Sequence, residues 1–162
     1  MKLDIFIEIS KGGLVKYEFD KKAKQLRVDR FLHGAMYFPF NYGFIPGTIG
    51  EDKDPLDAVV LASKSVYPGC LMSCQVIGLL EMEDEEGIDT KILMVPDIKV
   101  DPLLGKIQNI DDLDDSTKEK VKNFFEHYKD LEKNKWVKLK NWRSRQEAER
   151  EINKGLERAA KG

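Results

Sequence analysis

Asp52, Asp54 and Asp57 crowd into the six residues Asp52-Lys53-Asp54-Pro55-Leu56-Asp57, between the turn-rich Pro46 to Gly50 and the apolar run Ala58-Val59-Val60-Leu61. Two like charges about 4 Å apart repel by roughly 1 kcal/mol in bulk water, and by several times more as the effective dielectric falls. A converging trio of carboxylates therefore needs a cation or a solvated outlet. Pro55 interrupts strand pairing and the strand signal resumes at Ala58, so the acids sit on a bend at the mouth of a strand. That pattern suits a hard, oxygen-liganded cation such as magnesium; a solvated turn is the alternative, because Asp and Pro are ordinary turn residues. A calcium EF-hand is a poor alternative, since the positions that demand Gly and a bidentate Glu hold Asp57 and Ser63.

A second acidic nest, Asp84, Glu85 and Asp89, is followed by Lys91. Asp89 and Lys91 are two residues apart, so in an extended chain they face the same way. Alone, Glu83 to Glu86 reads as a charged hairpin tip. Two nests that each feed an apolar strand can instead converge on one end of a barrel, where magnesium ions would be held by a few carboxylates and share their shell with a phosphate substrate. The substrate's charge would then need donors that do not bind metal, and Lys16, Arg30, Tyr42, Lys91, Tyr128 and Lys129 are available. Cys70 and Cys74 are too few for a disulfide framework and are expected as small buried or half-buried strand side chains. His33 and His127 belong to no paired ligand motif, and no Cys-His or Ser-His nucleophile is visible.

The elements that must position these groups are mostly strands. Ile5, Ile7 and Ile9 alternate with Phe6 and Glu8, Leu14 to Phe19 alternates again after the Gly12-Gly13 turn, and Gln25 to Phe31 follows, together reading as a meander. Met36 to Gly47 is dense in aromatics, but its prolines and glycines predict a structured loop. Strands are predicted at Ala58–Leu61, Ser73–Met82 and Thr90–Val95. Val121, Phe124, Phe125, Tyr128 and Leu131 then recur at helical spacing, predicting a helix over Thr117–Leu131 with Asp115 or Ser116 as its N-cap. A short strand at Trp136–Leu139 precedes a second helix opened by a Ser144/Glu147 capping box and carrying Ala148, Ile152, Leu156 and Ala159. The expected architecture is one domain over 1–162, mainly β, a barrel with two C-terminal helices.

The chain has 162 residues, enough for one substantial core, and its 27 basic and 29 acidic side chains nearly cancel. No global field recommends nucleic acid or an anionic membrane. The amino-terminal residues lack a secretory signal pattern and no apolar run approaches membrane-spanning length, so the expectation is a soluble, cytoplasmic protein.

Glu8, Lys16-Tyr17-Glu18, Val28-Asp29-Arg30-Phe31, Pro39-Phe40-Asn41-Tyr42-Gly43-Phe44-Ile45-Pro46, Asp52 to Asp57, Asp84-Glu85 with Asp89 and Lys91, and Phe124 to Glu132 occur in an order that resembles the soluble family I inorganic pyrophosphatases of the short prokaryotic type. The resemblance covers nearly the whole chain. It implies a five-stranded, OB-like closed barrel with flanking helices that hydrolyses pyrophosphate to two orthophosphates with several magnesium ions. By similarity, Asp52, Asp57 and Asp89 would be the principal magnesium ligands, Asp84 would add to them, and Glu8 and Glu18 would contribute through waters or the outer shell. Asp54 would be the general base for a metal-activated water, and Lys16, Arg30, Tyr42, Lys91, Tyr128 and Lys129 would bind the phosphoryl oxygens. A homo-oligomer, a hexamer, is expected on the same ground.

Two positions depart from the family pattern. Lys53 stands where relatives usually carry a small or polar residue, most often Gly, and its amine is expected to extend to solvent. Phe38 stands where many carry Tyr, and Tyr37 beside it faces the other way. Two other readings stay open in the sequence: an OB-type barrel whose Tyr37, Phe38, Phe40 and Tyr42 stack nucleic-acid bases, and a non-catalytic barrel stabilised by divalent ions.

Overall fold

The computed structural model describes all 162 residues, and its centre is a ring of five strands. β1 (Lys2–Ile9) pairs antiparallel with β4 (Asn41–Phe44), β4 with β5 (Asp57–Val60), β5 in parallel with β8 (Lys91–Pro96), and β8 antiparallel with β6 (Leu71–Asp84). β6 returns to pair with β1 and closes the ring. Closure leaves no open edge within the ring, and the 14-residue β6 overshoots it to pair with β7 (Gly87–Ile88) and β9 (Val137–Arg143). This is the five-stranded OB-like barrel, with helices α1 (Asp115–His127) and α2 (Arg145–Lys161) against it.

β5 and β8 are buried on both faces, which is why Ala58-Val59-Val60-Leu61 and Ile92 to Val95 read as unbroken apolar runs. One core joins Val59, Leu93, Val95 and Ile77 to Val121, Phe124 and Phe125 of α1. The other joins Ile5, Ile7, Ala58, Val60, Ile92 and Met94 to Ala148 and Ile152 of α2. A bulge in β1 between Ile7 and Ile9 breaks the strict alternation, so Ile9 packs in the α1 core while Ile5 and Ile7 pack in the α2 core.

Several expectations are corrected. The first three strands are not one meander: β2 (Val15–Asp20) and β3 (Gln25–Phe31) form a separate two-stranded sheet. β1 has isoleucines to bury and takes neighbours on both edges, whereas β2 and β3 are exposed or half-buried along most of their length. Within the aromatic segment, Asn41–Phe44 is a ring strand, possible because Gly43 lets β1 approach: a Cβ there would lie 1.8 Å from the Phe6 carbonyl oxygen. α1 starts two residues earlier than expected, at Asp115, with Asp114 as its N-cap accepting from the Thr117 N–H at 2.8 Å. It ends at His127, so Leu131 is exposed in the turn beyond. The Ser144/Glu147 capping box is formed. Cys74 is buried in β6 but Cys70 is exposed just before it, unlike the expectation for both thiols.

Candidate active site

The acidic bend is built by local hydrogen bonds and braced by α2. Thr48 Oγ1 donates to the Ile45 carbonyl (2.7 Å) and accepts from the Leu56 N–H (3.0 Å), closing the base of the loop. Above it, the Gly50 N–H donates to the Asp54 carbonyl (2.7 Å) and the Asp54 N–H to Asp52 Oδ1 (3.0 Å). The bend places Lys53 in the left-handed region, φ +72°, which a residue with a Cβ rarely adopts, and its side chain is exposed as expected. α2 comes close because residue 155 is Gly: a Cβ there would meet Leu56 Cδ1 at 2.8 Å. Ile49 N–H donates to the Gly155 carbonyl, and Arg158 Nη1 donates to the Ile49 carbonyl.

All thirteen side chains singled out in the sequence line one open cavity of about 380 Å³. Glu8 comes from β1, Lys16 and Glu18 from β2, Arg30 from β3, Tyr42 from β4, Asp52 and Asp54 from the bend, and Asp57 from the first residue of β5. Asp84 ends β6, Asp89 precedes β8, Lys91 begins it, and Tyr128 and Lys129 follow α1.

Lys91 sits at the centre. It is the register partner of Asp57 across the parallel β5–β8 pair, and its Nζ is 2.6 Å from both Asp57 and Asp89 and 3.0 Å from the Tyr42 hydroxyl. Burial alone would pull the Lys91 pKa down, but Asp57, Tyr42 and Asp89 hold it well above the ordinary lysine range. Burial, reinforced by Asp57, raises Tyr42 well above the usual phenol value, and burial likewise raises Tyr128, so both hydroxyls stay protonated donors. Lys129 Nζ lies 2.9 Å from Asp84 and 3.5 Å from Glu85, and it holds Asp84 below the usual carboxylate range against the effect of burial. On the other wall Lys16 and Arg30 are register partners in the β2–β3 sheet, and Lys16 Nζ reaches Glu18 at 2.5 Å and Asp29 at 3.3 Å.

The cavity is short of positive charge. Ten carboxylates line it against six basic side chains, in a chain whose overall net charge is only −2. Glu8, nearly fully buried and accepting from the Phe19 N–H at 2.7 Å, is pushed up to about 7 by burial. Burial also raises Asp89, and raises Asp52 together with the neighbouring Asp54 and Asp57 charges. No three acidic or imidazole side chains form a ready-made cage, because Asp57 and Asp89 are turned onto Lys91 and Asp84 onto Lys129. An oxygen-only donor set with unbalanced, desolvated carboxylates fits hard divalent cations.

Five charged lining residues that the sequence reading left without a role are Asp29, Glu85, Glu86, Lys21 and Lys135. Asp29 was findable as the acid adjoining Arg30, with which it pairs. Lys21 lies 3.8 Å from Asp54, and Lys135 lies 3.7 Å from Glu85, contacts between segments far apart in sequence. The aromatic anchors answer the base-stacking reading. Phe38 and Phe40 are buried, packed on Phe124 with centroids 4.6 and 5.5 Å away, and cannot present their faces to bases, while Tyr37 points outward. No helix is long and apolar enough to cross a membrane.

A closed OB-like barrel whose mouth combines an acidic wall with lysine, arginine and buried tyrosine donors suits an anionic, phosphorylated substrate. The sequence matches the model of the family described as inorganic pyrophosphatase over residues 5–160. It is 52% identical to the inorganic pyrophosphatase of Aquifex pyrophilus, over 98% of this chain and 89% of that protein, and 47% identical to that of Aeropyrum pernix, over 96% and 89%. The solved structure of the Helicobacter pylori inorganic pyrophosphatase superposes with a TM-score of 0.96 at 44% identity, covering 98% of this chain and 94% of that one. The chain belongs to the inorganic pyrophosphatase family, and it is an enzyme that hydrolyses pyrophosphate.

Proposed function

We propose that the chain, acting as one unit over 1–162, hydrolyses pyrophosphate to two orthophosphates with several magnesium ions and Asp54 as general base. The observation that carries this reading is the gathering of two carboxylate nests and six phosphate-binding candidates on one cavity. Asp52, Asp57 and Asp89 hold the ions, Asp84 adds to them, and Glu8 and Glu18 act from the outer shell. When bound, the magnesium supplies Lewis acidity and lowers the pKa of water toward neutrality. Asp54 is highly exposed at the cavity rim, beside the Asp52 that its own N–H caps, and takes the proton from the attacking water.

Lys16, Arg30, Lys91 and Lys129 neutralise the phosphoryl oxygens, and the Tyr42 and Tyr128 hydroxyls donate to them. Phosphoryl transfer asks little covalent work of the protein, so the rate comes from positioning and from charge stabilisation in a partly desolvated site. Asp57 and Asp89, now paired with Lys91, would hold the metal, and the Lys91 ammonium would then be available to the phosphoryl oxygens. A cytoplasmic homohexamer completes the proposal; exposed Phe31, Tyr67, Leu71 and Leu103 supply apolar surface for subunit contacts, and sedimentation measures the assembly.

The test is phosphate release from pyrophosphate with and without magnesium, for wild type, Asp54→Asn and Asp57→Asn. Wild type is active only with metal. Asp54→Asn loses roughly 10²–10⁴-fold in turnover while keeping the fold, as expected for a general base. Asp57→Asn raises the magnesium concentration needed for half-maximal rate. Wild-type activity that survives complete chelation of divalent metal overturns the mechanism.

A further inference from the structure

Glu132 does not line the cavity, yet its side chain is only 6% exposed and its Oε1 lies 2.8 Å from Arg30 Nε. The N–H is not aimed along a hydrogen-bond direction, and Glu132 Oε2 is buried with no partner, so no other group of the protein claims this carboxylate. Arg30 itself is divided. Nε faces Glu132, Nη1 donates to Asp29, and Nη2 has no partner in the protein.

The position of Glu132 in the chain gives the contact its meaning. Residues 128–132 form a turn closed by the Tyr128 N–H to the Phe124 carbonyl, the Asp130 N–H to the His127 carbonyl and the Glu132 N–H to the Lys129 carbonyl. That one turn places Tyr128 and Lys129 in the cavity and Glu132 against Arg30. Arg30 belongs to the β2–β3 sheet, which shares no strand pairing with the barrel. The Glu132–Arg30 ion pair is therefore a direct link between the cationic groups on the α1 turn and the guanidinium on the hairpin. A planar guanidinium held by Glu132 at Nε and by Asp29 at Nη1 presents its unpaired Nη2 in a fixed direction, as a donor for a phosphoryl oxygen.

We propose that Glu132 is a positioning residue: it sets the orientation of the Arg30 guanidinium for the phosphoryl group, and acts on the reaction only through Arg30. The proposal rests on the substrate-binding role given to Arg30 above.

The experiment is a double-mutant cycle in kcat/KM for pyrophosphate at saturating magnesium, with wild type, Glu132→Gln, Arg30→Gln and the double variant, each with its melting temperature. Glu132→Gln is expected to lower kcat/KM about tenfold when Arg30 is present and less than about twofold when it is absent, the coupling expected of contacting residues. A merely structural brace would lower activity by the same factor in both backgrounds, and that result, or no loss in either, overturns the proposal. If Arg30→Gln keeps wild-type kcat/KM, the role of Arg30 fails and the positioning role falls with it, a result distinguishable from loss of coupling alone. Should Glu132→Gln not fold, Glu132→Asp, which keeps the charge but draws it back by one methylene, takes its place in the same cycle with the same outcomes.

Discussion

Replacing Lys91 by Met removes the cation that two carboxylates share. The ammonium is 4% exposed and lies 2.6 Å from Asp57 and from Asp89, whose side chains are 31% and 17% exposed. Deleting one partner of a buried ion pair typically costs about 3–5 kcal/mol, because the remaining charge is left uncompensated. Here the lower end applies, since Asp57 keeps a solvent outlet, so the metal-free variant is expected to lose ~3 kcal/mol. For a chain of this size that is a melting-temperature fall of about 6–12 °C in chelator. Magnesium should then narrow the gap, because the freed carboxylates no longer compete with an ammonium: wild type and variant both gain from binding, and a site about tenfold tighter in the variant returns roughly 1.4 kcal/mol at saturation. The assay is thermal unfolding of wild type and Lys91→Met across a magnesium titration, beginning in chelator. A metal-free variant melting within about 2 °C of wild type, or a gap that magnesium leaves unchanged, would refute the claim that Lys91 stands in for a cation between Asp57 and Asp89.

Gly43→Ala should abolish folding or cost more than about 4 kcal/mol, because the new Cβ would collide with backbone inside the closed ring; soluble expression with a near-wild-type melting curve would contradict this. Lys53→Gly should stabilise the metal-free protein by about 0.5–1 kcal/mol in urea unfolding by relieving a positive φ, and destabilisation would show that the lysine makes a compensating contact. Glu8 gives a pH signature. Its folded pKa of about 7 lies above the ordinary 4.5, so the folded state holds a proton that the unfolded state has released, and stability falls as pH rises between these values. In chelator, Glu8→Gln should gain about 3 kcal/mol on wild type between pH 4.5 and 8, and a difference that does not vary with pH would count against a desolvated Glu8.

What the sequence made legible was local. The isoleucine alternation of β1, the apolar runs of β5 and β8, the helical spacing of Val121, Phe124 and Phe125 and the Ser144/Glu147 box all satisfy their signal within a few residues. Ring closure was not written that way, because β1 finds its partners in β4 and β6 and β5 finds β8 in parallel register, all across long sequence gaps. Asn41–Phe44 was hidden by its prolines and glycines, although Gly43 is what admits the neighbouring strand. In the site, the acids and Lys91 could be named from their spacing and from the family resemblance, and Asp89 and Lys91 do face the same way. That Lys91 would sit between Asp57 and Asp89 required the parallel register, and the Glu132–Arg30 contact required a turn after α1 to meet a hairpin from the other end of the chain.

The detached β2–β3 sheet sets a difference in timescale within the cavity. Lys16, Glu18, Asp29 and Arg30 ride on a two-stranded ribbon that shares no strand pairing with the ring and is tied to it by the Phe19 N–H to Glu8 bond, while Asp57, Asp84 and Lys91 are fixed in the ring strands themselves. Two strands alone are marginally stable, so this wall should open locally at far lower free energy than the barrel, and its amides should exchange with deuterium well before those of β5, β6 and β8. One side of the site is thus a rigid electrode and the other a hinged one, so admission of a pyrophosphate and release of two phosphates can proceed without disturbing the ring.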